Sequence, residues 1–148
     1  REIVDLARYP FRDDVSVDAV EQVIEQVGLG DSIDRRVGGF SRGMKQRLGL
    51  ATSLIGEPQL LLLDEPCSAL DPLGRRDMMD AIVQLKRKST VLFSTHILSD
   101  VEDVCDSVTV VDQGKSLYEG TVSGIKRSED QSFEDAVLEV LQTARGTE

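Results

Sequence analysis

Cysteine is nearly absent: Cys67 and Cys105 are the only two in 148 residues, in segments that read as a loop and a helix face. That excludes a disulfide framework and zinc-ligand spacing, and points to reduced thiols in a cytosolic protein. Long apolar runs are also missing. None approaches the ~18 to 20 residues that a membrane span requires, so the chain does not cross a bilayer by itself. Basic residues are in deficit, 17 against 27 acidic ones, for a net charge of −10. That excludes nucleic-acid binding by bulk charge, because neutralising phosphates needs a dense basic face. No charged-then-apolar leader follows Arg1, so the expectation is a fragment rather than a processed secretory protein. What is present, 40% hydrophobic and 30% charged residues, suffices for one globular domain with a real core.

Charge is unevenly placed. The last twenty-one residues, from Ser128, hold six acids and one arginine, half of the net negative charge. This reads as a solvated tail. Within it Ser132 caps a short helix whose Phe133, Val137, Leu138 and Leu141 share one face and dock on the chain's own domain. Between Asp34 and Arg47 the balance reverses: Arg35, Arg36, Arg42, Lys45 and Arg47 face one aspartate. A solvated basic helix face would account for this; so would an anionic ligand.

Hydrophobic spacing marks the elements. Val17, Val20, Val23, Ile24 and Val27 follow the N-cap Ser16 and stop at Gly28, and Met44, Leu48, Ala51 and Ile55 follow Ser41. The run Leu60 to Leu63 does not alternate, which predicts a strand buried on both faces of a parallel sheet. Asp71 and Pro72 open a helix buried through Met78, Ile82 and Leu85. A strand over Thr90 to Thr95 follows, then a helix through Val101, Val104 and Cys105 with Ser99 and Glu102 as a capping box. Val108 to Val111 and Lys115 to Glu119 form a hairpin about Asp112-Gln113-Gly114. The alternation predicts an α/β domain with a mainly parallel sheet and its ligand site at the carboxyl ends of the strands.

Those strand ends carry the chemistry. In LLLLDEP a stiff apolar strand would fix Asp64 at its tip, where a carboxylate serves a magnesium ion, and Glu65 beside it could polarise a water for attack on phosphorus. In FSRGMKQR, Phe40 to Arg47, a serine and a glycine stand at a helix start, where free backbone N–H groups and the helix dipole attract phosphate oxygens. SALD, ending in Asp71, and STH, ending in the lone His96, follow seven and thirty-two residues after Asp64.

As an ordered set these four motifs resemble the signature loop, Walker B strand, D-loop and H-loop of the nucleotide-binding subunit of ABC transporters. The flanking helix and the YEGT stretch look like the same family. The resemblance implies that Asp64 coordinates magnesium, that Glu65 is the catalytic base and that His96 contacts the γ-phosphate and holds the attacking water. It implies that Ser41 and Gly43 contact the γ-phosphate of ATP held by a second ATPase subunit in a head-to-tail dimer, with Asp71 lining the interface. Phe40, Arg42 and Met44 depart from the usual LSGGQ pattern. This variant looks like the drug, sodium, haem or lipid exporter branch, whose ATPase is a separate subunit docked on a membrane-embedded partner at the cytoplasmic face.

No G-x-x-x-x-G-K-[ST] cradle for phosphates occurs in these residues. The expectation is therefore a partial P-loop ATPase of the ABC type lacking the Walker A region. Residues 1–56 would form a helical subdomain with the signature helix, 57–127 a catalytic core segment and 128–148 the acidic tail helix. Such a piece should not hydrolyse ATP alone, and its uncovered strand edges should favour self-association. Two other readings are a non-catalytic interaction fragment and an ATPase head for DNA repair or chromosome maintenance. The latter would carry coiled-coil arms, and no such heptad run is present.

Overall fold

Ser16, Ser41, Asp71 and Ser132 all do what their positions predict: each accepts a hydrogen bond from the backbone N–H three residues on and starts a helix. The computed structural model that shows this describes residues 2–10, 15–68 and 70–146. It divides into two compact units, Arg1–Ser94 and Thr95–Glu148.

The first unit begins with helix α1, Glu2–Arg8, which buries Ile3, Val4 and Ala7. This helix was not among the predicted elements, although its 3-4-7 spacing is helical. Helix α2, Val17–Gln26, ends before Gly28, whose φ of 71° is the left-handed conformation that glycine adopts without penalty. Helix α3, Arg42–Leu54, buries Leu48, Leu50, Ala51 and Leu54. Leu48 and Leu50 point in nearly opposite directions on a helix, so α3 needs cover on two sides. It has that cover: α1 and α2 pack against it, as does helix α4, Pro72–Leu85.

Strands β1, Leu60–Asp64, and β2, Thr90–Ser94, pair in parallel with Leu62 opposite Leu92 and Asp64 opposite Ser94. The expected burial on both faces is not found. Leu61 is buried, but Leu60, Leu62 and Leu92 on the other face are 54, 67 and 63% exposed. Because side chains alternate along a strand, these three leucines share a face with Asp64 and Ser94. Among the described residues each strand pairs only with the other, so both outer edges are open.

The second unit holds helix α5, Leu98–Val104, strands β3, Ser107–Asp112, and β4, Lys115–Thr121, and helix α6, Phe133–Arg145. The predicted hairpin is present. Its tip is Gln113-Gly114 with φ of 49° and 78°, the two left-handed residues of a tight antiparallel reversal. The predicted capping box at the start of α5 is not formed. The N-cap is Ile97, whose N–H bonds the Thr95 hydroxyl at 3.0 Å, and Glu102 instead pairs with Lys126 Nζ at 2.6 Å.

Val101, Val110, Ile125, Phe133, Ala136 and Val137 form the core of this unit, so α6 docks on its own unit as expected. Leu138 is the exception on the predicted face, at 44% exposed. At the far end of α6 the Arg145 guanidinium grips Asp112 at 3.1 Å, and its hydrogen bond and charge hold that carboxyl below its ordinary range.

Candidate functional site

The predicted site residues of the first unit fall into two clusters. The first is at the start of α3. Ser41 Oγ accepts from the Met44 N–H at 3.2 Å. A Cβ built on Gly43 would meet Leu70, the Gly74 Cα and Ser41 Oγ at 3.7, 3.9 and 4.0 Å, which are ordinary contacts. Nothing in the chain's own packing therefore demands glycine at this position. The same contacts put the beginning of α4 alongside, where Asp71 Oδ1 accepts from the Gly74 N–H at 2.9 Å. A Cβ on Gly74 would sit 2.6 Å from that oxygen, so a larger residue there would make the Asp71 side chain shift. Ser41, Gly43 and Asp71 thus meet at two adjoining helix starts, both of which offer N–H groups and positive dipole ends.

The second cluster is the carboxyl end of the two-stranded sheet. Ser94 Oγ donates to Asp64 Oδ1 at 2.6 Å and accepts from the Glu65 N–H at 2.9 Å. Glu65 has φ of 44°, a left-handed conformation that costs a residue with a side chain on the order of 1–3 kcal/mol. Two more contacts hold the turn: the Ser68 N–H bonds Glu65 O at 3.0 Å, and the Gln46 amide donates to Pro66 O. Gln46 lies on α3, so this bond ties the strand-end turn to the helix that carries the other cluster.

The lone His96 stands two residues beyond Ser94, exposed, in the bend that opens the second unit. Of the basic residues from Arg35 to Arg47, Arg47 is engaged inside the fold. It donates to Gly28 O at 3.2 Å and faces Asp77 at 3.5 Å. Arg35, Arg36, Arg42 and Lys45 are exposed.

Sequence reasoning missed three contributors, Gln46, Gly74 and Ser94. Gly74 had a signal, a glycine three residues after a capping aspartate. Ser94 opens the STH segment, but its bond to Asp64 had no signal there, because that partner lies thirty residues earlier and only the strand register brings them together.

Among the described residues no group of three or more His, Cys, Asp or Glu side chains could hold a metal ion. The site's donors are one carboxylate with a hydroxyl on its first oxygen. That suits magnesium, which keeps several waters and is bound through one or two carboxylates plus substrate phosphates, rather than a metal enclosed by protein.

Comparison with known proteins gives the same direction. The family model described as ABC transporter matches residues 4–68. The uncharacterized ABC transporter ATP-binding protein YxlF of Bacillus subtilis (strain 168) is 44% identical over 124 residues, covering 83% of this chain and 42% of that protein. The bacitracin transport ATP-binding protein BcrA of Bacillus licheniformis is 43% identical over 111 residues, covering 74% of this chain and 36% of that one. The chain thus spans less than half the length of these relatives. A solved ATP binding subunit of an ABC transporter superposes with a TM-score of 0.74 at 28% identity, over 95% of this chain and 61% of its own. In motif order, in fold and in sequence, this chain belongs to the family of ABC transporter ATP-binding domains.

Proposed function

We propose that these residues serve an ATP-hydrolysing subunit that powers transport, in the export direction, through a separate membrane-embedded partner. The observation that carries this reading is the strand end. Two carboxylates stand on consecutive residues, Asp64 and Glu65, at a left-handed turn where one serine bonds the Asp64 carboxylate and the Glu65 backbone N–H. Asp64 would hold magnesium, which when bound supplies charge neutralisation for the phosphates. Glu65 would take the proton of the attacking water, and His96 would hold that water and the γ-phosphate. Ser41 and Gly43 would present backbone and hydroxyl donors to the γ-phosphate of a nucleotide carried by a second copy, with Asp71 at the interface between the two. No helix of the described residues is long and apolar enough to cross a membrane, so the coupling to transport is assigned to a docked partner. The relative named for bacitracin transport supports a transport role.

The 148 residues contain no cradle lysine and no nest of backbone N–H groups of the G-x-x-x-x-G-K-[ST] type, which supply most preorganised donors to the β- and γ-phosphates. Calorimetric titration of this chain with Mg-ATP is therefore expected to show no micromolar binding. The full-length gene product, titrated beside it, should bind and hydrolyse. Micromolar affinity in the short chain, or no turnover in the long one, would contradict the proposal.

A further inference from the structure

We propose that Ser94 is a positioning residue whose single hydroxyl orients the Asp64 carboxylate and anchors the Glu65 backbone at once. This inference rests on the reading of Asp64 as metal-holding and Glu65 as base. The proton on that hydroxyl is assigned by chemistry. An ionised carboxylate can only accept and a backbone N–H can only donate, so the bond to Asp64 Oδ1 uses the serine's proton and the bond from Glu65 uses a lone pair. The 2.6 Å length of the first is that of a charge-assisted O–H to carboxylate bond.

Each bond has a separate consequence. The first occupies one oxygen of Asp64 and fixes the carboxylate's rotation, leaving the second oxygen for a cation. The second gives a partner to the N–H of a residue whose backbone is in the left-handed region, so it stabilises the turn that carries the Glu65 side chain. Parallel register is what makes this possible: Ser94 is the last residue of β2 and stands opposite Asp64, the last of β1. Both lie on the sheet's exposed face.

The test compares Ser94→Thr, which keeps the hydroxyl, with its isostere Ser94→Val, which removes it, and with Ser94→Ala, all in the full-length protein. Steric effects of branching are common to Thr and Val, so their difference reports the hydroxyl. Loss of a side chain that orients a metal ligand is expected to lower kcat by about 10- to 100-fold in the Val and Ala variants. KM for ATP should stay within about twofold, because the bulk of nucleotide binding lies elsewhere. In protein labelled with 15N-glutamate, the Glu65 amide should exchange with solvent about tenfold faster in the Val and Ala variants, as expected for a lost hydrogen bond. The Thr variant should match wild type in both readouts.

Equal behaviour of Thr and Val, or an unchanged Glu65 exchange rate in Val and Ala, overturns the proposal. Asp64→Asn and Glu65→Gln, measured alongside, separate the two levels. If both keep wild-type kcat, the reading of the acids fails and this inference with it. If both lose kcat while Ser94→Val does not, only the role of Ser94 is overturned.

Discussion

Glu65→Gln in the full-length subunit, assembled with its partners, is expected to reduce ATP turnover by about 10²- to 10⁴-fold, the usual contribution of a positioned general base. Glutamine keeps the size and reach of the side chain but has no basic oxygen to receive the proton of water. ATP affinity should persist, since the amide touches no donor that the reading assigns to the phosphates. Steady-state hydrolysis and equilibrium ATP binding, measured on the same preparation, check both halves. A turnover within a few-fold of wild type would transfer the base role to another group.

Phe133→Ala is expected to have the largest effect on stability, about 3–5 kcal/mol, the range for removing a buried aromatic ring and leaving a cavity. Phe133 is 1% exposed and packs with Val101, Val110, Ile125, Ala136 and Val137. A domain's net stability is about 5–15 kcal/mol, so the loss would unfold the second unit or leave it marginal. Leu138→Ala on the same helix, at a position 44% exposed, should cost within about 0.5 kcal/mol. Urea denaturation followed by circular dichroism distinguishes the two. Equal losses would mean that α6 packs through a different face.

That pair of residues also marks how far hydrophobic spacing can be read. Phe133, Val137, Leu138 and Leu141 all fit a helical stripe, but a stripe has an edge, and only the packed neighbours decide that Leu138 lies beyond it. Helix starts were legible because a cap is local: Ser41 and Asp71 need only the N–H three residues on. Ser99 failed as a cap for a reason outside its own turn, since Thr95 takes the Ile97 N–H and Lys126 takes Glu102. The apolar run Leu60 to Leu63 correctly announced a parallel strand, yet burial of both its faces requires layers that pair and cover it. Among the described residues only one face is covered, so Leu60, Leu62 and Leu92 are exposed on the other.

The site divides the same way. Asp64, Glu65, Ser41, Gly43, Asp71 and His96 are proposed as site residues from motif order. The structure adds the adjoining helix starts, with the Gly74 N–H bonded by the Asp71 cap, and the bond from Gln46 to Pro66 that joins the two clusters. Ser94 stands in the STH segment, but its bond to Asp64 was invisible in sequence because strand register is a property of the pair and not of either strand alone.

Sedimentation of the full-length Glu65→Gln subunit with Mg-ATP and with Mg-ADP tests the whole arrangement in one measurement. If the start of α3 in one copy meets the γ-phosphate held by the other, the unhydrolysed triphosphate should drive a dimer. The diphosphate, which lacks that group, should leave monomers, because a ligand shifts the association equilibrium by binding the dimer more tightly than the monomer, as one that bridges both copies does. A monomer at saturating ATP would contradict the account, as would a dimer indifferent to the third phosphate.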